Sequence, residues 1–190
     1  QNAVPKYEGV KPYQQIPFQF SLNRLEENGT LSHSEFLAEL GIDPRESFTK
    51  SLFDMVGKKG SVVVYNATFE KMIIKQLFEW FPDKKEEAQY MIKRVIDLMK
   101  PFQKKDYYLP EMQGSHSIKA VLPALCKELS YENLAINNGQ IAAMTYNELQ
   151  TSSDMFRIEE VKQNLLEYCK LDTLAMVKIY EKLIEITQNR

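Results

Sequence analysis

A run of three valines constrains the fold of this chain more than any other feature. Val62, Val63 and Val64 sit in SVVVYN, between Gly60 and Asn66. The run is β-branched, uncharged and free of polar alternation, which marks a strand buried on both faces. The flanking sequence supplies helices to bury it. ATFEKMIIKQLFEWF, residues 67–81, is amphipathic, and Pro82-Asp83 starts a second helix running toward Arg94. Before the valines, Asp43-Pro44 reads as an N-cap and first helical residue, opening a helix through about Val56. Earlier still, QIPFQFSLNR alternates, with Ile16, Phe18, Phe20 and Leu22 on one side and Gln15, Gln19 and Ser21 on the other. Asn28-Gly29 suits a tight turn, so LSHSEFLAE is the expected partner strand of a hairpin. After the valines, VIDLMKPF predicts a short strand carrying Asp97 and interrupted by Pro101. GSHSIKAVLPALCKEL predicts a helix capped by Ser115 or Ser117, and a short helix is expected around Gln140 to Met144. The last thirty or so residues form one long helix. A hairpin followed by alternating helices and strands predicts a mixed α/β layer structure.

A length of 190 residues suits one domain with a sizeable core. Apolar runs stay well short of the roughly 18 residues needed to span a bilayer, so no membrane association is expected. Cys126 and Cys169 are too few and too isolated for a disulfide framework or a zinc site. A cytoplasmic protein with reduced thiols is the expectation. The net charge of −2 does not point to nucleic acid and does not exclude it, because a nuclease can pair an acidic site with a local basic rim.

Three carboxylates stand in unusual company. On a helical wheel at about 100° per residue, Leu165, Met176, Ile179 and Leu183 all lie within roughly 40° of Asp172. Asp172 therefore interrupts the apolar stripe of the last helix, one turn after Tyr168. Glu70 falls in the first turn of the helix leaving the valine strand, and the C-terminal edge of an open α/β sheet is where ligands bind. Asp97 ends the next strand. Such carboxylates are costly to bury unless paired, hydrogen-bonded or metal-bound. If they converge they need a divalent cation, and hard oxygen ligands suit Mg²⁺ or Mn²⁺. Two such ions form the clamp used in phosphodiester hydrolysis.

Each residue also has an ordinary reading. Glu70 is a favourable first-turn acid, Asp97 a partner of Arg94 or a turn cap, and Asp172 a core residue bonded to backbone or lysine. Ser115, His116 and Ser117 either cap a helix or hold a phosphate there. Lys93, Arg94, Lys100, Lys104 and Lys105 form a solvated face or a nucleic-acid track. Tyr65, Tyr107 and Tyr108 are packing residues or base-stacking platforms.

The ordered combination carries more than its parts. YNATFEK resembles the second motif of the DEDD family of 3′–5′ exonucleases, where an asparagine precedes a metal-binding acid by four residues. Asn66 and Glu70 match that spacing, with Glu where the family more often has Asp. VIDLMKPF resembles the strand that follows, HSIKAVLPAL the next helix, and YCKLD the Tyr-x-x-x-Asp motif of the tyrosine branch. PYQQIPFQFS, VVVYNATFEK, GSHSIKAVLP and YCKLDTLAM together are similar to an uncharacterised bacterial branch of this superfamily, a domain of unknown function. The resemblance implies a ribonuclease H-like mixed sheet flanked by helices. It implies Glu70 and Asp172 as metal ligands, Tyr168 orienting the attacking water, and Asn66 and Asp97 in support. It further implies a substrate contact at Ser115, His116, Ser117 and Lys119, and single-stranded nucleic-acid ends as partner.

One part of the pattern is missing. The family's first motif is an Asp-x-Glu on the central first strand, and this chain contains no Asp-x-Glu. Residues 1–190 are therefore expected to be one ribonuclease H-like domain forming the C-terminal part of a larger protein, one that in this branch carries a RecB-like nuclease domain upstream. The expected two-metal site is incomplete in this chain, and its nuclease activity weak or absent. The alternative is a non-catalytic module that binds nucleic acid or a partner protein. Without its first strand the sheet should have a gap, filled in part by residues 1–10 or by a neighbouring molecule.

Overall fold

A computed structural model describes residues 4–188. The chain opens with an irregular segment and then a hairpin of β1 (Gln19–Leu25) and β2 (Leu31–Leu37), paired antiparallel with Gln19 opposite Leu37 and Leu25 opposite Leu31. The Asn28-Gly29 turn forms as expected, with Gly29 at φ 82°. Helix α1 (Arg45–Val56) follows, with the Asp43 carboxylate accepting the Arg45 N–H at 3.1 Å. Pro44 sits at the cap itself, one residue earlier in the helix numbering than the sequence predicts.

The valine run forms β3 (Val62–Val64), which leads into α2 (Ala67–Trp80), α3 (Lys85–Arg94) and β4 (Val95–Asp97). β3 and β4 run parallel, Val64 opposite Asp97, as a crossover through helices requires. Pro101 falls inside α4 (Lys100–Gln103) rather than ending a longer strand. Then come α5 (Ile118–Leu125), α6 (Gly139–Leu149) and α7 (Met155–Gln188). Helix α6 is longer than its sequence signal, and α7 has 34 residues. The result is a mixed α/β structure with small sheets.

Alternation in β1 sorts its side chains between two layers. Phe20 packs with Phe36 of β2 and Phe48 of α1, ring centroids 5.3–5.9 Å apart, and with Leu77 of α2. Ser21 and Asn23 face the other way and meet α7, where both reach the Thr173 hydroxyl at 2.7 and 2.9 Å. Ala175 and Ile179 of α7 are fully buried against α5 and the β4–α4 segment. Truncating Ile179 to alanine at such a site costs about 2–5 kcal/mol.

The two pairs of strands do not join among the described residues. A groove of about 750 Å³ separates them, lined by Ser21 through Glu26 on one side and Ser61 through Val63 on the other. Side chains in a strand point alternately to opposite faces, so a groove meeting six successive residues meets the strand's edge. Thr173, Met176, Val177 and Tyr180 of α7 line it too. Residues 4–10 do not enter this groove. Tyr7 donates to the Ile42 carbonyl at 3.1 Å and the Glu8 carbonyl accepts from Arg45 at 2.9 Å, both away from it. The expectation that the opening residues fill the gap is thus corrected for residues 4–10, while residues 1–3 lie outside the described residues. The reason is local: Pro5, Gly9 and Pro12 break any strand, and Arg45 captures the segment instead.

Candidate functional site

The site begins with the turn between β3 and α2. Asn66 adopts a left-handed conformation, φ 74° and ψ 70°, reversing the chain between strand and helix. The Asp97 carboxylate, at the end of the neighbouring strand, accepts the N–H groups of Asn66 (3.2 Å), Ala67 (3.0 Å) and Met99 (3.0 Å). These are charge-assisted bonds at the positive end of α2. Asp97 is therefore a turn cap. Its alternative partner, Arg94, donates instead to the carbonyls of Gly57 and Lys59, both at 2.7 Å. The Asn66 side chain is exposed, so this residue contributes its backbone conformation. The braced turn fixes the start of α2 and hence Glu70 in its first turn.

Helix α7 is fixed in rotation by the Ser21–Asn23–Thr173 contacts. His33 joins them through its Nε2, 2.8 Å from Ser21 Oγ. Glu35 approaches that same nitrogen, at 3.8 Å. A hydrolytic triad needs its carboxylate on the other ring nitrogen, so this cluster braces the hairpin against the helix. With Thr173 on the hairpin, Asp172 turns into a second groove of about 750 Å³, where Glu70, Phe69, Tyr168 and Cys169 also lie. Residues from Pro5 to Pro17 form its far wall, with Tyr146 and Gly139 of α6 beside them.

Glu70 and Asp172 thus come together from different helices, with Tyr168 one turn from Asp172. Burial, followed by repulsion from Asp172, pushes the Glu70 carboxyl up to about 7. Burial raises Asp172 as well, opposed by the Tyr131 and Tyr168 hydroxyls and by the Lys119 ammonium. Tyr168 is held well above its ordinary range by burial and the Asp172 charge, so its hydroxyl remains a donor. Burial and the two carboxylates push the Cys169 thiol up to about 12, leaving it protonated and unreactive. Among the described residues, neither carboxylate takes part in a salt bridge.

Ser115, His116 and Ser117 are exposed and do not line this groove. Ser117 occupies the N-cap of α5, yet no side chain caps the helix. The two serine hydroxyls bond each other at 3.2 Å, and Ser115 Oγ also accepts the Ser117 N–H, which corrects the capping expectation. The loop is tied to the sheet by Tyr65, whose hydroxyl donates to the His116 carbonyl at 2.8 Å. Lys119 alone of this group reaches the carboxylates' field, with its ammonium 5.8 Å from the centre of the Tyr131 ring. Tyr107 packs edge-on to Phe102, and the Tyr108 hydroxyl accepts the Gly114 N–H, so these tyrosines are packing residues. Lys93, Lys100, Lys104 and Lys105 are solvated.

Two residues at the site escaped the sequence reading. Tyr131, in the segment between α5 and α6, is buried behind Asp172 with its ring 6.3 Å from that of Tyr168. Gly139 opens α6, and a side chain there would lie 3.9 Å from the Tyr168 hydroxyl. Neither belongs to a periodic pattern. Only the aromatic in an otherwise polar SYEN stretch gave any signal.

Among the described residues, no group of three His, Cys, Asp or Glu side chains is placed to hold a metal ion. No helix of the described residues is long and apolar enough to cross a membrane.

Curated relatives carry no function in their names. The chain is 30% identical to an uncharacterised protein, UU173, of Ureaplasma parvum serovar 3, across 73% of this chain and 23% of the relative. It is 24% identical to the uncharacterised MG366 homolog of Mycoplasma pneumoniae, across 94% of this chain and 30% of the relative. The chain thus spans about a quarter to a third of the relatives it matches. No solved structure matches it. The family model for a domain of unknown function (DUF2779) matches residues 1–117, and the chain belongs to that family.

Proposed function

We propose that this chain is the greater part of a ribonuclease H-like nuclease domain, hydrolysing phosphodiesters in single-stranded DNA or RNA ends with Mg²⁺ or Mn²⁺. The observation that carries the reading is the pairing of Glu70 with Asp172. Two carboxylates share one groove, repel each other, and have no cationic partner within salt-bridge distance. Such a pair is unstable as a structural feature and suits a hard divalent cation. The donors fit the ion in kind and supply two of its ligands. A bound ion would neutralise the pair and polarise a phosphate oxygen.

The chain's own residues do the rest. Glu70 and Asp172 hold the cation from opposite helices, and the braced β3–α2 turn sets the position of Glu70. Tyr168 keeps its proton and donates toward a nucleophilic water beside Asp172. Lys119 offsets negative charge behind the carboxylate. Phe69, exposed at the groove beside Glu70, offers a face to a terminal base.

The groove between β1 and β3 supports the fold half of this reading. It offers two strand edges and an α7 floor, the setting of a central strand. In the proposed whole protein a strand bearing Asp-x-Glu lies there and brings the missing ligands to Glu70 and Asp172. A longer form of the protein that includes such a strand should degrade single-stranded DNA or RNA with Mn²⁺. Inactivity of that form on every single-stranded substrate tried sinks the enzyme reading. The non-catalytic alternative draws on the absence, among the described residues, of a third metal-ligating side chain. It predicts nucleic-acid binding by the longer form that Asp172→Asn leaves intact, with no hydrolysis.

A further inference from the structure

We propose that Tyr131 is a positioning residue for Asp172, a second hydroxyl that grips the carboxylate once a cation engages it. The inference rests on the reading of Glu70 and Asp172 as a cation-binding pair and adds a residue to it.

Tyr131 is 6% exposed, and its hydroxyl oxygen is buried without a hydrogen-bond partner. A buried hydroxyl is ordinarily satisfied, so an idle one calls for a partner that the resting protein does not provide. The hydroxyl is close enough to Asp172 for each to influence the other's ionisation, yet it makes no bond of good geometry to it. Its ring is held on two sides, by Tyr168 and by the Lys119 ammonium. It cannot turn away without dismantling that packing.

The two tyrosines approach one carboxylate from different elements. Tyr168 comes from the same helix, and Tyr131 from the α5–α6 connection. Burial and the Asp172 charge keep the Tyr131 phenol protonated, so it can only donate to that carboxylate. A proton on Asp172 occupies part of its acceptor capacity. An ionised Asp172 has about four lone-pair positions, and a cation on the groove side leaves those behind it free. Tyr131 lies on that far side, outside the groove lining. Cation binding therefore supplies the bond that folding leaves unmade, and the clamped carboxylate holds its oxygens toward the ion. This is the role of an outer partner that orients a metal ligand.

The test is Tyr131→Phe, which removes one oxygen and keeps the ring. Urea unfolding without metal and Mn²⁺ affinity from the free-ion paramagnetic signal are measured at pH 7.5 on this chain. The expected result is an unfolding midpoint equal to or above the parent's, with Mn²⁺ bound about tenfold more weakly, or about 1.4 kcal/mol. Unchanged Mn²⁺ affinity overturns the inference. So does a loss of metal-free stability, or failure to fold, since either makes the hydroxyl structural. Glu70→Gln and Asp172→Asn serve as controls. If the parent binds no Mn²⁺ at millimolar concentration, or if both controls bind as the parent does, the carboxylate-pair reading falls instead.

Discussion

Replacing Glu70 with glutamine should change how stability depends on pH, in a direction opposite to ordinary acid denaturation. The carboxyl rises from an ordinary value of 4.5 to about 7 in the folded protein. A folded-state pKa above the unfolded value means that the native protein binds the proton more tightly. The associated stability is therefore fully present below about 4.5 and is lost as pH climbs through about 7. At about 1.4 kcal/mol per tenfold, the gap corresponds to roughly 3 kcal/mol, of which about 2–3 kcal/mol falls between pH 5 and pH 8. Asp172 is raised too and adds to the same slope from lower pH. Asp43, held low chiefly by its hydrogen bonds to Arg45 against the opposing effect of burial, acts only below its ordinary range and leaves this window alone. Glutamine removes the Glu70 charge and relieves Asp172. Urea unfolding of parent and Glu70→Gln at pH 5 and pH 8 measures the difference. The parent should lose stability over this interval while the variant stays nearly level, and at pH 8 the variant should be more stable by about 2–3 kcal/mol. For a chain of this size that is on the order of 5–10 °C in melting temperature. A variant less stable than the parent at pH 8, with the same pH slope, refutes the strained-pair argument.

Other consequences follow from the same geometry. Asp172→Asn should likewise raise stability at pH 8, and by less at pH 5, as read by thermal melts at the two values. Asp97→Ala removes the acceptor of three backbone N–H groups at the α2 turn. It should cost about 2–4 kcal/mol in urea unfolding, and a loss under 1 kcal/mol would contradict the bracing role. Asn66→Ala forces a Cβ into the left-handed region and should cost about 1 kcal/mol, whereas Asn66→Gly should be neutral or stabilising in the same assay. Tyr65→Phe frees the His116 carbonyl, so faster amide exchange across residues 114–118 with little change in global stability is expected.

What could be read in the sequence, and what could not, divides along physical lines. The valine run, the Asn28-Gly29 hairpin and the 34-residue final helix repeat a pattern over enough residues to survive tertiary context. Asp172 was legible because it breaks such a pattern, and Glu70 because it follows a buried strand at a fixed interval. Tyr131 was not, since its role depends on a loop folding back onto a helix forty residues later. The serine loop before α5 looked like a cap by composition, but its hydroxyls satisfy each other. The opening segment was misplaced because Arg45, through the Glu8 carbonyl, draws it away from the sheet. Long-range pairing of that kind leaves no local trace.

The claim that Glu70 and Asp172 form a cation-binding pair is tested most directly by calorimetric titration of Mn²⁺ into this chain at pH 8. The account predicts weak binding that releases protons and raises the melting temperature, and that disappears in both Glu70→Gln and Asp172→Asn. Binding that persists unchanged in the two variants, or a parent that takes up no Mn²⁺, would contradict it.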